Sequence, residues 1–523
     1  MRRILPLLFL VTSGCLCGQS ISGSIQGSVV DPSDLAVAGA KVTLTQVATG
    51  ARRSMQASER GDFYFGALQP GQYTISVEFS GFKTLQKEGL NLTAAESLSV
   101  GRLKLEVGAV SESVTVQAEG TTVQTASAER SGVVTSSQVD QIAIRGRNVI
   151  SLTQLLPGVV FNDDGDVIDR NWNLNVNGNR RNTTGVSLDG MVTNAIGNNN
   201  NMMIMVSQDA ISELKVLLSN YQAEYGRMSG ASVHLVTKSG TRDFHGGFSY
   251  YKRHEQFNAN EFFNNWLGLP KPRYRYNTYN YNVGGPVMIP GKVNTDRDKL
   301  FFFWSQEFWP LRTPQAIRRL TVPTELERAG NFSQSLDVNN RLISIRDSST
   351  GNPFPGNLVP ASRIDPNGKA LLSIFPAPNF LDRGVSGGNY NFIFQDENQD
   401  PKRTSTLKVD YHLNSDNIVS LNFGEHSDVT KGSAVGNSLF WGILYAARYN
   451  IGKSLIGNYK RIISPTLLNE LNIGFIRRPN DEKEYEPTLP KVQRDKVGFN
   501  VGQFNSKANP LNVLPQAIFT GVP

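Results

Sequence analysis

Cysteine is almost missing from this chain: of 523 residues only Cys15 and Cys17 carry a thiol, both near the N-terminus. The rest of the chain therefore has neither a disulfide framework nor a thiolate metal site. Histidine is scarce as well. The five present (His234, His245, His254, His412 and His426) show no HExxH pair and no Cys/His ligand spacing. His234 and His245 fall in strand-like segments and read as packing or rim residues. No Walker loop or dinucleotide-binding glycine loop occurs. No carboxylate pair is singled out by spacing for acid/base work. The segment Asn162-Asp-Asp-Gly-Asp166 suggests a calcium loop but lacks the closing bidentate Glu, so it reads as a solvated turn. The expectation is a protein that is not an enzyme and that uses no cofactor and no metal. Long hydrophobic runs are missing too: after the N-terminus none reaches the about 18 apolar residues of a spanning helix. Lys and Arg (52) exceed Asp and Glu (45), a net charge of +7. They are dispersed rather than gathered into a patch, which argues against nucleic acid as a partner.

What is present points to β-structure. Glycine is abundant at 48 residues and apolar residues make up 39%, a profile of many turns with enough material for cores. Residues 1–18 pair two arginines with an apolar stretch from Ile4 to Val11 and then small residues, a secretory signal peptide too short to span. A lipoprotein signal with acylated Cys15 is the alternative. Strands are expected at Ser24–Val30, Lys41–Gln46, Arg52–Ala57, Phe63–Phe65, Tyr73–Phe79 and Leu98–Val107, separated by Gly, Pro and Asp turns. Short strands at this spacing make a small β-sandwich over residues 19–107. The elements Gly27-Ser-Val-Val-Asp31, Gly61-Asp-Phe-Tyr-Phe65 and Leu68-Gln-Pro-Gly-Gln-Tyr73 resemble the carboxypeptidase regulatory-like domain. That resemblance implies a carbohydrate-binding-like fold without catalysis.

Residues 108–130 form a linker around one β-forming segment, Glu112, Ser113, Val114, Thr115, Val116, Gln117 and Ala118. Two readings stand open. It is a last strand of the sandwich, or a strand kept unpaired for a partner to take up by β-addition, where main-chain hydrogen bonds supply affinity. The Val-Thr-Val core resembles the TonB box of outer-membrane receptors, departing from it at Gln117. The resemblance implies TonB, the inner-membrane energy-transducing partner, as the ligand of these residues.

Residues 131–240 read as a small α/β unit. Ser137–Ile144 forms a short helix or strand, and Val149–Leu156 a helix-like segment stopped by Pro157-Gly158. Short strands surround Asn175–Arg180 and Val186–Gly190 with tight turns. In order, the motifs are Gly146–Asn148, Leu152–Gly158, Asn177–Arg180, Leu188–Gly190, Ile211–Val216, Ala223–Gly226 and Val236–Thr241. They resemble the plug domain of Oar-like TonB-dependent receptors. The forty residues from Ser207 to Gly246 then join this unit to long strands.

Residues 241–523 alternate in dyads. Leu407, Val409, Tyr411 and Leu413 share one face of a strand whose other face carries Lys408, Asp410 and His412. Hairpins follow at Val419/Leu421/Phe423 and from Leu455–Arg461 to Leu471/Ile473/Phe475. Apolar-out, polar-in dyads with short turns suit a transmembrane β-barrel in contact with outer-membrane lipid. A water-soluble sandwich is the competing pattern. Residues from about 310 to 400 lack sustained alternation and read as a long extracellular loop. The resemblance implies about 22 strands, which at ~9–11 residues each need roughly 400 residues with their connections. The expected fold class is therefore mainly β: an N-terminal sandwich, a small α/β plug and an incomplete antiparallel transmembrane barrel, the chain being a truncated member. The expected function is outer-membrane uptake of an unidentified extracellular substrate, energised by TonB. A surface carbohydrate-binding or adhesion protein without transport is the alternative, with a glycan as its ligand.

Overall fold

The computed structural model describes residues 20–117, 127–144, 146–161, 174–195, 197, 199, 201–225, 228–432, 444–464, 467–484 and 487–515. The leader (1–18) and the calcium-like turn Asn162–Asp166 lie outside them.

Eight strands form the first unit: β1 (Gly23–Val30), β2 (Lys41–Gln46), β3 (Arg52–Gln56), β4 (Asp62–Leu68), β5 (Gly71–Glu78), β6 (Thr84–Leu92), β7 (Ser97–Lys104) and β8 (Ser113–Gln117). They make two sheets, β4-β1-β7 and β3-β2-β5-β6-β8. Alternation places Ile25, Val42, Leu44, Phe63, Phe65, Tyr73, Ile75 and Val77 in one core between the sheets. Strand β6 was not expected from the sequence. Its register slips between Tyr73 and Ile75 of β5, and Gly89 takes a positive φ of 76° there. The bulge shifts the apolar phase from Leu85 to Leu90 and Leu92, so no single period of two runs through it.

The second unit is a mixed sheet. Its strands are β9 (Arg130–Val134), β10 (Val159–Phe161), β11 (Leu174–Val176), β12 (Thr184–Leu188), β13 (Met191–Val192), β14 (Ile211–Ser219) and β15 (Ala231–Thr237). Five of them run in the order β13-β12-β15-β14-β9, with β10 and β11 as a separate hairpin. Helix α1 (Ser136–Gln141) starts at a Thr135/Gln138 capping box, and Val149–Leu155 is a 3-10 helix. Every residue of β15 is buried, as expected of a central strand covered on both faces.

The third unit is one large antiparallel sheet. It contains β16 (His245–His254), β17 (Arg275–Pro286), β18 (Leu300–Pro314), β21 (Glu397–Asn414), β22 (Asn417–Gly432), β23 (Ala446–Ser464) and β24 (Leu467–Arg477), in that order. A short β25 (Asn480–Glu484) pairs with β23. Between β18 and β21, β19 (Arg318–Leu320) and β20 (Phe392–Phe394) pair with each other. The long loop is smaller than expected, because β18 and β21 stay paired out to Pro314 and Glu397. It is also folded: the Arg328 guanidinium donates to the carbonyls of Leu372, Phe375 and Pro376 at 2.6–2.9 Å.

The sheet is inside out relative to a soluble one. Lys408, Asp410 and His412 are buried, while Tyr411 and Leu413 are exposed on the other face. Along β22, Ser420 and Asn422 are buried and Leu421 is 47% exposed. The buried polar face covers the mixed sheet, whose core extends to Phe303, Trp309 and Ile456 of the large one. The connections at one end (287–299, 415–416 and 465–466) are on the whole shorter than those at the other (255–274, 315–396 and 433–445). The sandwich sits at the end with the shorter connections. There the Arg242 amide donates to the Ala48 carbonyl at 3.1 Å, and Ser20 Oγ donates to Glu470 at 2.6 Å. Among the described residues no helix is long and apolar enough to cross a membrane, which says nothing about strands.

Candidate partner strand and inner-wall contacts

The segment Glu112–Ala118 divides between a bend, a strand and an undescribed residue. Glu112 is exposed ahead of β8, Ser113–Gln117 form β8, and Ala118 lies outside the described residues. The expectation of a strand kept unpaired needs correction. Strand β8 runs parallel to β6, with Ser113 opposite Thr84 and Gln117 opposite Glu88. Its pairing is possible because the bulged β6 leaves an edge at the end of the five-stranded sheet. The Thr84 amide donates to the Glu112 carbonyl at 2.8 Å, and Thr84 Oγ1 to the Val110 carbonyl at 2.8 Å. Lys83 lies 3.4 Å from the Glu112 carboxylate and 3.7 Å from that of Glu106. Only Val114 is half-buried; the other four side chains of β8 are exposed.

The contacts between mixed sheet and inner wall were not foreseen. Arg147 has a left-handed φ of 55° beside Gly146, and this turns its side chain toward the wall. Its Nε donates to Glu307 Oε1 of β18 at 2.6 Å, and its Nη2 lies 2.9 Å from Asp209. The guanidinium also covers the Tyr251 ring at 4.3 Å. Ser207 Oγ donates to the other oxygen of Glu307, and Asn280 Nδ2 donates to Ser207 Oγ at 3.0 Å. Burial alone would lower the pKa of Arg147, but Glu307 and Asp209 outweigh it and hold the guanidinium above its ordinary value.

A second cluster forms at Asp189, in the Leu-Asp-Gly turn. Its carboxylate accepts from the Thr237 amide (2.9 Å), from Thr237 Oγ1 (2.6 Å) and from Asn422 Nδ2 of β22 (2.6 Å). Lys408 of β21 donates to the Thr237 carbonyl at 3.2 Å and lies 3.7 Å from Asp189.

A third set joins the mixed sheet to the sandwich. Glu213 of β14 accepts from the Ala94 amide at 2.6 Å, and Lys215 Nζ donates to the Ala95 carbonyl at 3.2 Å and to Glu129 at 2.9 Å. Burial pushes the Glu213 carboxyl up to about 7, against the pull of the Ala94 amide and Lys215. His234 is fully buried on β15, its Nδ1 2.8 Å from Ser187 Oγ and its ring edge-on to Tyr225. Burial, then Lys215, brings it down to about 3. It is a neutral packing residue.

Among the described residues no group of three His, Cys, Asp or Glu side chains is placed to hold a metal ion. The three clusters instead fasten a compact unit to a wall on one side and to a separate domain on the other.

Comparison with known proteins agrees with this layout. The Outer membrane beta barrel domain family matches residues 236–522, over half of the chain. The Carboxypeptidase regulatory-like domain family matches residues 24–129. A curated relative, the TonB-dependent transporter Oar of Myxococcus xanthus, is 27% identical over 250 residues. That alignment covers 45% of this chain and 22% of the relative, so the chain spans about a fifth of that protein's length. Among solved structures, the outer membrane transporter YddB of Escherichia coli aligns at 9% identity with a TM-score of 0.43. It covers 68% of this chain and 39% of the other. The siderophore receptor PirA of Acinetobacter baumannii aligns at 13% identity and a TM-score of 0.33, covering 66% and 43%. Both structural likenesses are remote.

Proposed function

Because the chain belongs to the outer membrane beta barrel domain family, we propose that it acts as an outer-membrane receptor for uptake of an extracellular substrate, driven by TonB from the periplasm. The observation that carries this reading is the inverted sheet with a compact unit fastened to its polar face. An apolar outer face suits lipid, and the mixed sheet fills the space where a substrate path would run, as a plug. The fastening consists of buried charges. Breaking a buried ion pair costs about 3–5 kcal/mol, and the Arg147 and Asp189 clusters must both yield if the plug is to move. That is far above thermal energy, so opening needs outside work, which TonB would supply by pulling on Glu112–Ala118.

Outer-membrane barrels turn their shorter connections to the periplasm and their longer loops outward. By that rule the sandwich lies in the periplasm, close to an inner-membrane partner and away from the cell surface. This speaks against the adhesion reading, which needs the domain outside. The test is uptake of, or growth on, candidate substrates by cells whose chain lacks Glu112–Ala118. The reading expects uptake to fall to the level of a strain without the protein; undiminished uptake would sink it.

A further inference from the structure

The sandwich and the mixed sheet are attached to the wall in different ways. The core of the mixed sheet runs on into Phe303, Trp309 and Ile456 of the wall. Among the described residues, the core of the sandwich takes in no side chain from the wall. What joins sandwich to wall is polar and sparse. Gln69 Nε2 donates to Asp410 Oδ1 at 3.4 Å and to Ser420 Oγ at 3.3 Å, and Ser20 Oγ donates to Glu470 at 2.6 Å. Three cavities, of about 310, 360 and 280 Å³, lie along this interface. Interiors of permanent units are close-packed, whereas a loose polar interface between domains permits them to move apart.

The 360 Å³ cavity is bounded by all three units: Gln69 of the sandwich, Lys238 at the exit of the mixed sheet, and Asp410, His412 and Lys460 of the wall. Strand register sets Asp410, Ser420 and Asn458 in one row of the wall, each opposite the next. Asp410 Oδ2, His412 Nε2, Asn458 Oδ1 and Glu470 Oε1 make no hydrogen bond among the described residues. Yet Asp410 and His412 are only 2% and 6% exposed. Buried groups of this kind take their partners from water or from a ligand. The chamber is therefore wet and suits a hydrophilic cargo.

We propose that the sandwich is a second gate: resting on the wall it closes this chamber, and cargo released past the plug leaves only when the sandwich swings away. The proposal rests on the receptor reading given above. The hinge is the joint with β14, where Glu213 accepts from the Ala94 amide and the buried Lys215 donates to the Ala95 carbonyl. That side keeps its hold while the Gln69 side parts. Moving the plug alone opens only into a closed chamber.

A lock across the parting side and a reporter inside the chamber test the gate. The Arg242 amide donates to the Ala48 carbonyl at 3.1 Å, which keeps the two residues within disulfide reach. No native cysteine lies beyond Cys17. Ser420→Cys places a thiol on the chamber wall. In the purified full chain, its reaction with a small anionic methanethiosulfonate is followed by mass spectrometry of its own peptide. With Ala48→Cys/Arg242→Cys added, the expected rate is at least about tenfold lower oxidised than reduced. Without the lock, Gln69→Ala should raise the rate about fivefold, the factor for one lost hydrogen bond. Equal rates in the two redox states would overturn the gate, since the reagent would then enter by another route. A thiol unreactive in both states would overturn it too, because the sandwich would then never lift. Failure of the two lock thiols to join would deny the seat itself. The labelling needs neither TonB nor substrate, which separates the two levels. If it behaves as expected while the chain takes up no candidate substrate, the receptor reading alone fails; if uptake stands while labelling ignores the lock, only the gate fails.

Discussion

Arg147 carries more of the structure than its sequence context suggested. The Gly-Arg-Asn stretch was legible as a family mark, and so was the Leu-Asp-Gly turn at Asp189. Their partners were not, because Glu307 and Asn422 lie 160 and 233 positions away and only the strand register brings them near. Replacing Arg147 by Met leaves Glu307 and Asp209 without their cation, at an expected cost of about 3–5 kcal/mol. Thermal unfolding in detergent measures it, and Arg147→Met/Glu307→Leu should recover most of the loss; a single variant as stable as wild type would refute the assignment. His234 yields a pH prediction. Its folded pKa of about 3 lies below the ordinary 6.5, so between those values the unfolded chain binds a proton that the folded chain refuses. Its contribution is whole above about pH 6.5 and is lost as pH falls toward 3, by up to ~1.4 kcal/mol per unit. His234→Gln should show a flatter stability profile below pH 6.5 than wild type.

Among the elements, regular alternation made the sandwich and the large sheet readable, and interruption of it hid the rest. Strand β2 occupies the range expected for it, while β6 escaped because the bulge at Gly89 breaks its phase. The pairing of β8 was open in the sequence, since its fit to an edge depends on β6 being there. The polar face of β21 was visible as Lys408, Asp410 and His412, but not that Lys408 would lie beside Asp189. At the joint between β14 and the sandwich, Glu213 has the opposite sign to His234. Its carboxyl is raised from 4.5 to about 7, so its contribution is full below about pH 4.5 and is lost as pH rises through 7. Glu213→Gln retains an acceptor for the Ala94 amide without the charge. It should match wild type at pH 4.5 and exceed it in thermal stability above pH 7; identical profiles would contradict the burial of this group.

The whole molecule is a wall, a unit fastened inside it, and a sandwich at the end with the shorter connections. Two properties of that arrangement are measurable without knowing the substrate. The first is the lipid-facing side of the wall. Leu421, the fifth of the 16 residues of β22, points outward, and Leu421→Arg should cost up to about 2–4 kcal/mol if that face meets the bilayer core, read as reduced outer-membrane assembly. The second is the link to TonB, which the receptor reading requires. Val116 is exposed on β8, so a thiol placed there is accessible to a partner. The most direct measurement is cross-linking in living cells between Val116→Cys and a cysteine in the periplasmic domain of TonB. The account predicts a cross-linked product that disappears when residues 112–115 are deleted; no product, with TonB still cross-linking to another receptor in the same cells, would contradict it.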